Sequence, residues 1–111
     1  MRVSRDFNIF AFMKCNTLKE DGSNFDDWER NLHLAVEADR KEKYIFMPPP
    51  PTPSARAPLE ELKAYRDYNY VSESTKNILY YTMDYALQHH FIAFSAFETY
   101  LALTEMYSSK P

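Results

Sequence analysis

Apolar residues recur at helical spacing along most of the chain. Phe25, Trp28, Leu32, Ala35 and Val36 fall three or four apart and form one stripe, which predicts a helix from Phe25 to about Lys41. Asn24 stands where it caps that helix, with Asp27 at the third helical position. Leu59, Leu62, Tyr65 and Tyr68 read as the stripe of a second helix, and Pro58 suits its first turn. Thr75, Ile78, Leu79, Thr82 and Met83 keep a similar spacing over Ser72 to Met83. Neither proline nor glycine separates the two segments, so they are compatible with one long helix. "DYALQHHF" predicts a short helix or turn that packs Leu87 and Phe91. The final helix opens on "SAFE", a capping box in which Ser95 accepts from the Glu98 backbone and Glu98 reaches back. Phe97, Tyr100, Leu101, Leu103, Thr104 and Tyr107 follow it.

The breaks between these segments carry their own information. "MPPPPTPSARAP", Met47 to Pro58, holds six of the chain's seven prolines. Proline lacks the N–H and fixes φ, so neither a helix nor a central strand passes through this stretch. It is expected to be an extended polyproline linker. Its bland role is a stiff spacer between helices. Its functional alternative is docking of an SH3 or WW domain on Pro48, Pro49, Pro50 and Pro51. "YIFM" adds apolar residues just before it. The single glycine, Gly22, disfavours a fold built on tight hairpins. The expectation is an all-α domain, a single small bundle of about five helices, with the proline-rich linker between the first two main helices. Residues 1–17 form an N-terminal arm, residues 18–108 the helical domain, and residues 47–58 the linker.

Composition narrows the class. At 111 residues there is room for one domain. Nine tyrosines, eight phenylalanines and one tryptophan provide ample area for a core. The net charge of −3 argues against a dedicated nucleic-acid binder, which would show a basic face. A lone cysteine, Cys15, makes neither an internal disulfide nor a zinc knuckle, and so fits a reducing, cytoplasmic compartment. The "FNIFAFM" run near the N-terminus is short, interrupted by Asn8 and followed by no small-residue cleavage site, so it does not read as a signal peptide. No stretch approaches the ~18 apolar residues of a membrane span.

Candidate chemistry is sparse. "DGSNFDDWERNL" gathers Asp26, Asp27 and Glu29 around Phe25 and Trp28. These acids fall in the first turns of a helix, where the partial positive charge favours carboxylates, and that local explanation is preferred to a metal or catalytic cluster. His89 and His90 are adjacent and point about 100° apart on a helix, so they do not readily chelate one ion. His33 is solitary, and Cys15 has no marked partner base. One glycine makes no phosphate loop. No catalytic, cofactor-binding or metal-ligating residue is assigned; an enzyme would need a polar pocket uniting His33, His89 or Cys15 with acids. Tyr65, Tyr68, Tyr70, Tyr80, Tyr81, Tyr85, Tyr100 and Tyr107 exceed what one small core needs, so some are expected at a protein interface.

Three segments, taken in order, resemble the N-terminal capsid-like part of the Gag polyprotein of copia-type LTR retrotransposons. "LKEDGSNFDDWERNLHLAV" is similar to that family's leucine, its G-x-N-[FY]-x-x-W and the following N-L helix, through Leu18, Gly22, Asn24, Phe25, Trp28, Asn31 and Leu32. "YIFMPPPPTP" resembles the family's Y-V-L-x-x-P-x-P-P stretch. "ILYYTMDYALQHHFIAFSAFETYLALTEMY" resembles M-L-x-S-M-x-x-E-L-Q-x-x-F and a helix ending L-x-x-M-F, at Leu79, Met83, Leu87, Gln88, Phe91, Leu103, Met106 and Tyr107. The resemblance spans about Leu18 to Tyr107. The first 15 residues depart from the family leader, Tyr80 and Tyr81 replace small or aliphatic positions, and Ala86 stands where an acid is frequent. The resemblance implies a capsid-like helical fold and a structural role, with self-association into a homo-oligomer or particle. It implies no catalytic residue, cofactor or small-molecule substrate. RNA contact would belong to a basic or zinc-knuckle region beyond this stretch. The departures imply a truncated or domesticated copy, or a fragment.

Overall fold

The computed structural model describes residues 17–108. The arm expected over residues 1–17 therefore lies, except for Thr17, outside the described residues, and so does Cys15. Five helices run in order: α1 (Phe25–Ala38), α2 (Glu42–Ile45), α3 (Leu59–Tyr80), α4 (Tyr85–His90) and α5 (Ala96–Tyr107). The fold is an all-α bundle. The one β feature among the described residues is an isolated parallel bridge between Leu18 and Met83. There Leu18 N–H donates to the Thr82 carbonyl at 2.8 Å and Asp84 N–H to the Leu18 carbonyl at 2.9 Å. None of the described helices is long and apolar enough to cross a membrane.

The stripe of α1 buries all five of its predicted residues, Phe25, Trp28, Leu32, Ala35 and Val36. The helix stops at Ala38, short of the expected Lys41. Arg40 takes the left-handed conformation (φ 58°), so Arg40 N–H reaches Glu37 O and Lys41 N–H reaches Val36 O. That closes the helix as a Schellman turn, with arginine where glycine is usual, and the usual sequence signal is missing. Tyr44 and Ile45 of "YIFM" then end α2 and Phe46 caps it, an element the apolar pattern alone left undefined. Its turn sends consecutive side chains to three neighbours. Tyr44 packs on Tyr68 of α3, Ile45 enters the core, and Phe46 stacks on His33 of α1 and edges against Tyr100 of α5.

The two segments expected after the linker are a single 22-residue helix, α3, which ends at Tyr80, short of the expected Met83, because Met83 instead forms the bridge to Leu18. Its first stripe differs from the sequence reading, because Leu59 is 80% exposed. Leu62, Tyr65 and Tyr68 are half-buried as that stripe requires, but spacing by three drifts about 60° per step and carries Leu59 round to the outer face. The face that packs inward is Tyr68, Ser72, Thr75 and Leu79, which alternates steps of four and three. Pro58 sits at the N-cap, one position before the helix. The capping box forms as read, with Ser95 Oγ accepting from Glu98 N–H at 3.1 Å and Glu98 Oε1 from Ser95 N–H at 3.0 Å.

Asn24 does something other than expected. It occupies the N-cap position of α1 and its carbonyl accepts from Trp28 N–H, but its side chain does not bond the helix. Its amide instead ties down the incoming chain: Nδ2 donates to Thr17 O at 2.8 Å, and Oδ1 accepts from Lys19 N–H at 3.0 Å. The turn between them needs Gly22. Its φ is 71°, and an added Cβ would fall into the ring of Tyr107. Tyr107 then closes the turn by donating from its hydroxyl to Glu20 O at 2.6 Å.

Candidate functional site

Most of the residues that carry the resemblance in the first and last segments converge in space, whereas Met106 and the proline stretch stay exposed. Leu18, Phe25, Trp28, Leu32, Leu79, Met83, Leu87, Phe91 and Leu103 are all in the buried core. Gly22, Asn24 and Tyr107 line its edge at the turn. Phe25 touches Trp28 and Tyr107, each with ring centroids 5.7 Å apart. Trp28 Nε1 donates to Thr82 O at 3.0 Å, so the bulkiest core side chain also satisfies a backbone carbonyl. These residues build the architecture, and none presents a reactive group to solvent.

Of the acids in the opening turn of α1, Asp27 holds Arg30 at 2.6 Å in an exposed pair, an arrangement that contributes little stability. Asp26 is exposed. Glu29 has a partner that the sequence did not reveal. Tyr100 of α5 donates its hydroxyl to Glu29 Oε2 at 2.6 Å. His33 Nε2 lies 3.1 Å from the same hydroxyl, and its ring stacks on Phe46 at 4.0 Å. With the phenol proton committed to Glu29, the oxygen accepts from His33, which places a hydrogen on Nε2. Burial first, then the hydrogen bond and charge of Glu29, push the Tyr100 phenol up to about 12. At neutral pH it donates and does not act as a base. The four groups satisfy one another and clamp α1, α2 and α5 together. Glu29 and His33 are four apart, which sequence spacing can show. Tyr100 is 67 residues beyond His33, so no local pattern links them.

The other histidines are apart from this cluster. His89 and His90 end α4 and are exposed, with His89 edge-on to Tyr85. Among the described residues, no group of three His, Cys, Asp or Glu side chains is arranged to hold a metal ion.

The proline stretch is an exposed strap braced against α3. Thr52 Oγ1 and Tyr65 Oη are 3.0 Å apart. Pro50, Pro51 and Pro53 form one wall of a groove of about 310 Å³, and Ala64, Tyr65 and Tyr68 form the other. Pro48, Pro49, Pro50 and Pro51 all remain exposed.

Ten large apolar side chains among the described residues are exposed. Leu59, Tyr70, Tyr81 and Tyr85 are the most exposed of these, and Ile92, Phe94, Leu101 and Met106 join them near α5. The fold defines a small all-α module. No protein-family model, curated protein or solved structure matches the chain.

Proposed function

We propose that this chain is a structural, capsid-like helical module that associates with copies of itself, as a truncated or domesticated piece of a copia-type retrotransposon Gag protein. The reading rests on the order and spacing of the three segments described above. One structural observation carries it further. Ten large apolar side chains among the described residues are exposed, although the core is already closed by thirteen buried ones. Those ten are not needed to fold the domain, and covering them in an assembly is favourable. The role needs no catalytic step, cofactor or small-molecule substrate, and it is exercised in the cytoplasm or within a particle. With a net charge of −3, RNA contact falls to another region of such a particle protein. Light scattering across a concentration series tests the reading. Mass that rises with concentration is expected, and a strict monomer at the highest concentration overturns it.

A second reading is a helical adaptor that binds a host protein through the proline-rich linker or a helical groove, and its linker form draws on the exposure of Pro48–Pro51. Isolated SH3 and WW domains would be titrated against the chain and against a version with these four residues changed to Ala, Gly and Ser. Binding by the first chain alone supports it. Equal binding by both, or by neither, removes it.

A further inference from the structure

Two exposed surfaces of this molecule complement each other and not themselves. The first is the outer ridge of α3. Leu59, Lys63, Arg66 and Tyr70 follow in steps of four, three and four, so they line one face. That face lies about 180° around the helix from the buried Thr75 and Leu79. Leu59 and Tyr70 are 80% and 78% exposed. Two basic residues therefore sit between two large apolar anchors, with the exposed Asp67 and Glu73 on the two flanks of the same face. Among the described residues, neither Lys63 nor Arg66 has an ion-pair partner. The second surface is a shallow depression beside α5, of Ala93, Phe94, Leu101 and Ala102 with Glu98 and Glu105 on its rim. Phe94 and Leu101 are 36% and 45% exposed, and both acids are exposed.

We infer that copies of this chain associate head to tail, the α3 ridge of one seating on the acid-rimmed α5 depression of the next. This rests on the self-association reading above and specifies the surface. Charge decides the pairing. Two α5 faces packed across an antiparallel two-fold would bring Glu98 against Glu105 of the other copy. Two ridges packed in the same way would bring Lys63 against Arg66. Like charges at such contacts repel, whereas ridge on depression places Lys63 and Arg66 against Glu98 and Glu105. It also sets Tyr70 and Leu59 against Phe94 and Leu101. A contact between two different patches is heterologous, so it propagates into rings or open filaments and does not stop at a dimer.

Two variants test the contact. The ridge variant carries Lys63→Glu and Arg66→Glu. The depression variant carries Leu101→Gln and Glu105→Gln, both exposed positions outside the capping box. Circular dichroism melts establish that each is folded, and Tyr70→Ser and Glu105→Gln alone are the milder pair if either is not. Sedimentation velocity then reads the assembly. The wild-type chain is expected to grow past the dimer, and more weakly in high salt. Each variant alone should dissociate at concentrations roughly tenfold or more above the wild type. Mixed one to one, they should form dimers and nothing larger, because one intact ridge meets one intact depression. Wild-type assembly that neither variant weakens, or a mixture as monomeric as its components, overturns the head-to-tail contact and leaves self-association standing. A wild-type chain that stays monomeric overturns both.

Discussion

Trp28 concentrates the energetics of the core in one side chain. It is fully buried, and its indole N–H satisfies the Thr82 carbonyl that also takes Leu18 N–H. Trp28→Ala is expected to cost about 3–5 kcal/mol in chemical denaturation. Asp26→Asn, at an exposed position two residues earlier, should cost well under about 1 kcal/mol. Comparable losses would return the acids to the status of a site. Thr99 makes the opposite prediction. Its Oγ1 is buried with no hydrogen-bond partner. Thr99→Val keeps the shape and removes the unsatisfied hydroxyl, so urea unfolding should show a gain on the order of 1 kcal/mol. A loss of that size would mean that the hydroxyl has a partner.

At the scale of elements, specific polar contacts help position the helices. Asn24 anchors the incoming chain, Ser95 and Glu98 start α5, and Glu29, His33 and Tyr100 join α1 to α5. The last of these is sensitive to alkali. The Tyr100 phenol has a folded pKa raised to about 12 from an ordinary 10.0, so the folded state holds its proton more tightly than the unfolded chain. The stabilisation is fully present below pH 10 and is lost as pH rises from there towards 12. The group is partly solvated, so its contribution after screening is at most on the order of 1 kcal/mol. Tyr100→Phe should melt lower than the wild type at neutral pH and lose less stability between pH 10 and 12. Parallel slopes for the two chains would remove the clamp from the account.

For the whole molecule, assembly and stability are linked. A contact made only by folded copies raises the melting temperature with concentration. For a pairing of Lys63 and Arg66 with Glu98 and Glu105, that rise should shrink as sodium chloride is added, because exposed charges are screened. Thermal melts over a hundredfold range of concentration, at low and high salt, provide the check. A melting temperature independent of concentration counts against association by the folded chain.

Period and local signals were enough for the helices. The α1 stripe, the Ser95–Glu98 box and the proline stretch each depend on residues a few positions apart, so they were legible in the sequence. Where a helix ends was less so, since Arg40 adopts a backbone conformation that its residue type does not announce. Leu59 at the start of α3 was misread for a related reason: spacing by three looks periodic on the page but winds around the helix. Tertiary structure alone decided the rest. It set Tyr107 against Gly22, gave Glu29 to Tyr100, turned Asn24 from a cap into an anchor, and left Leu59 and Tyr70 in water. Each of these depends on what lies opposite a side chain across the fold. Local propensity acts over one or two turns, whereas a partner some seventy residues away is chosen by packing.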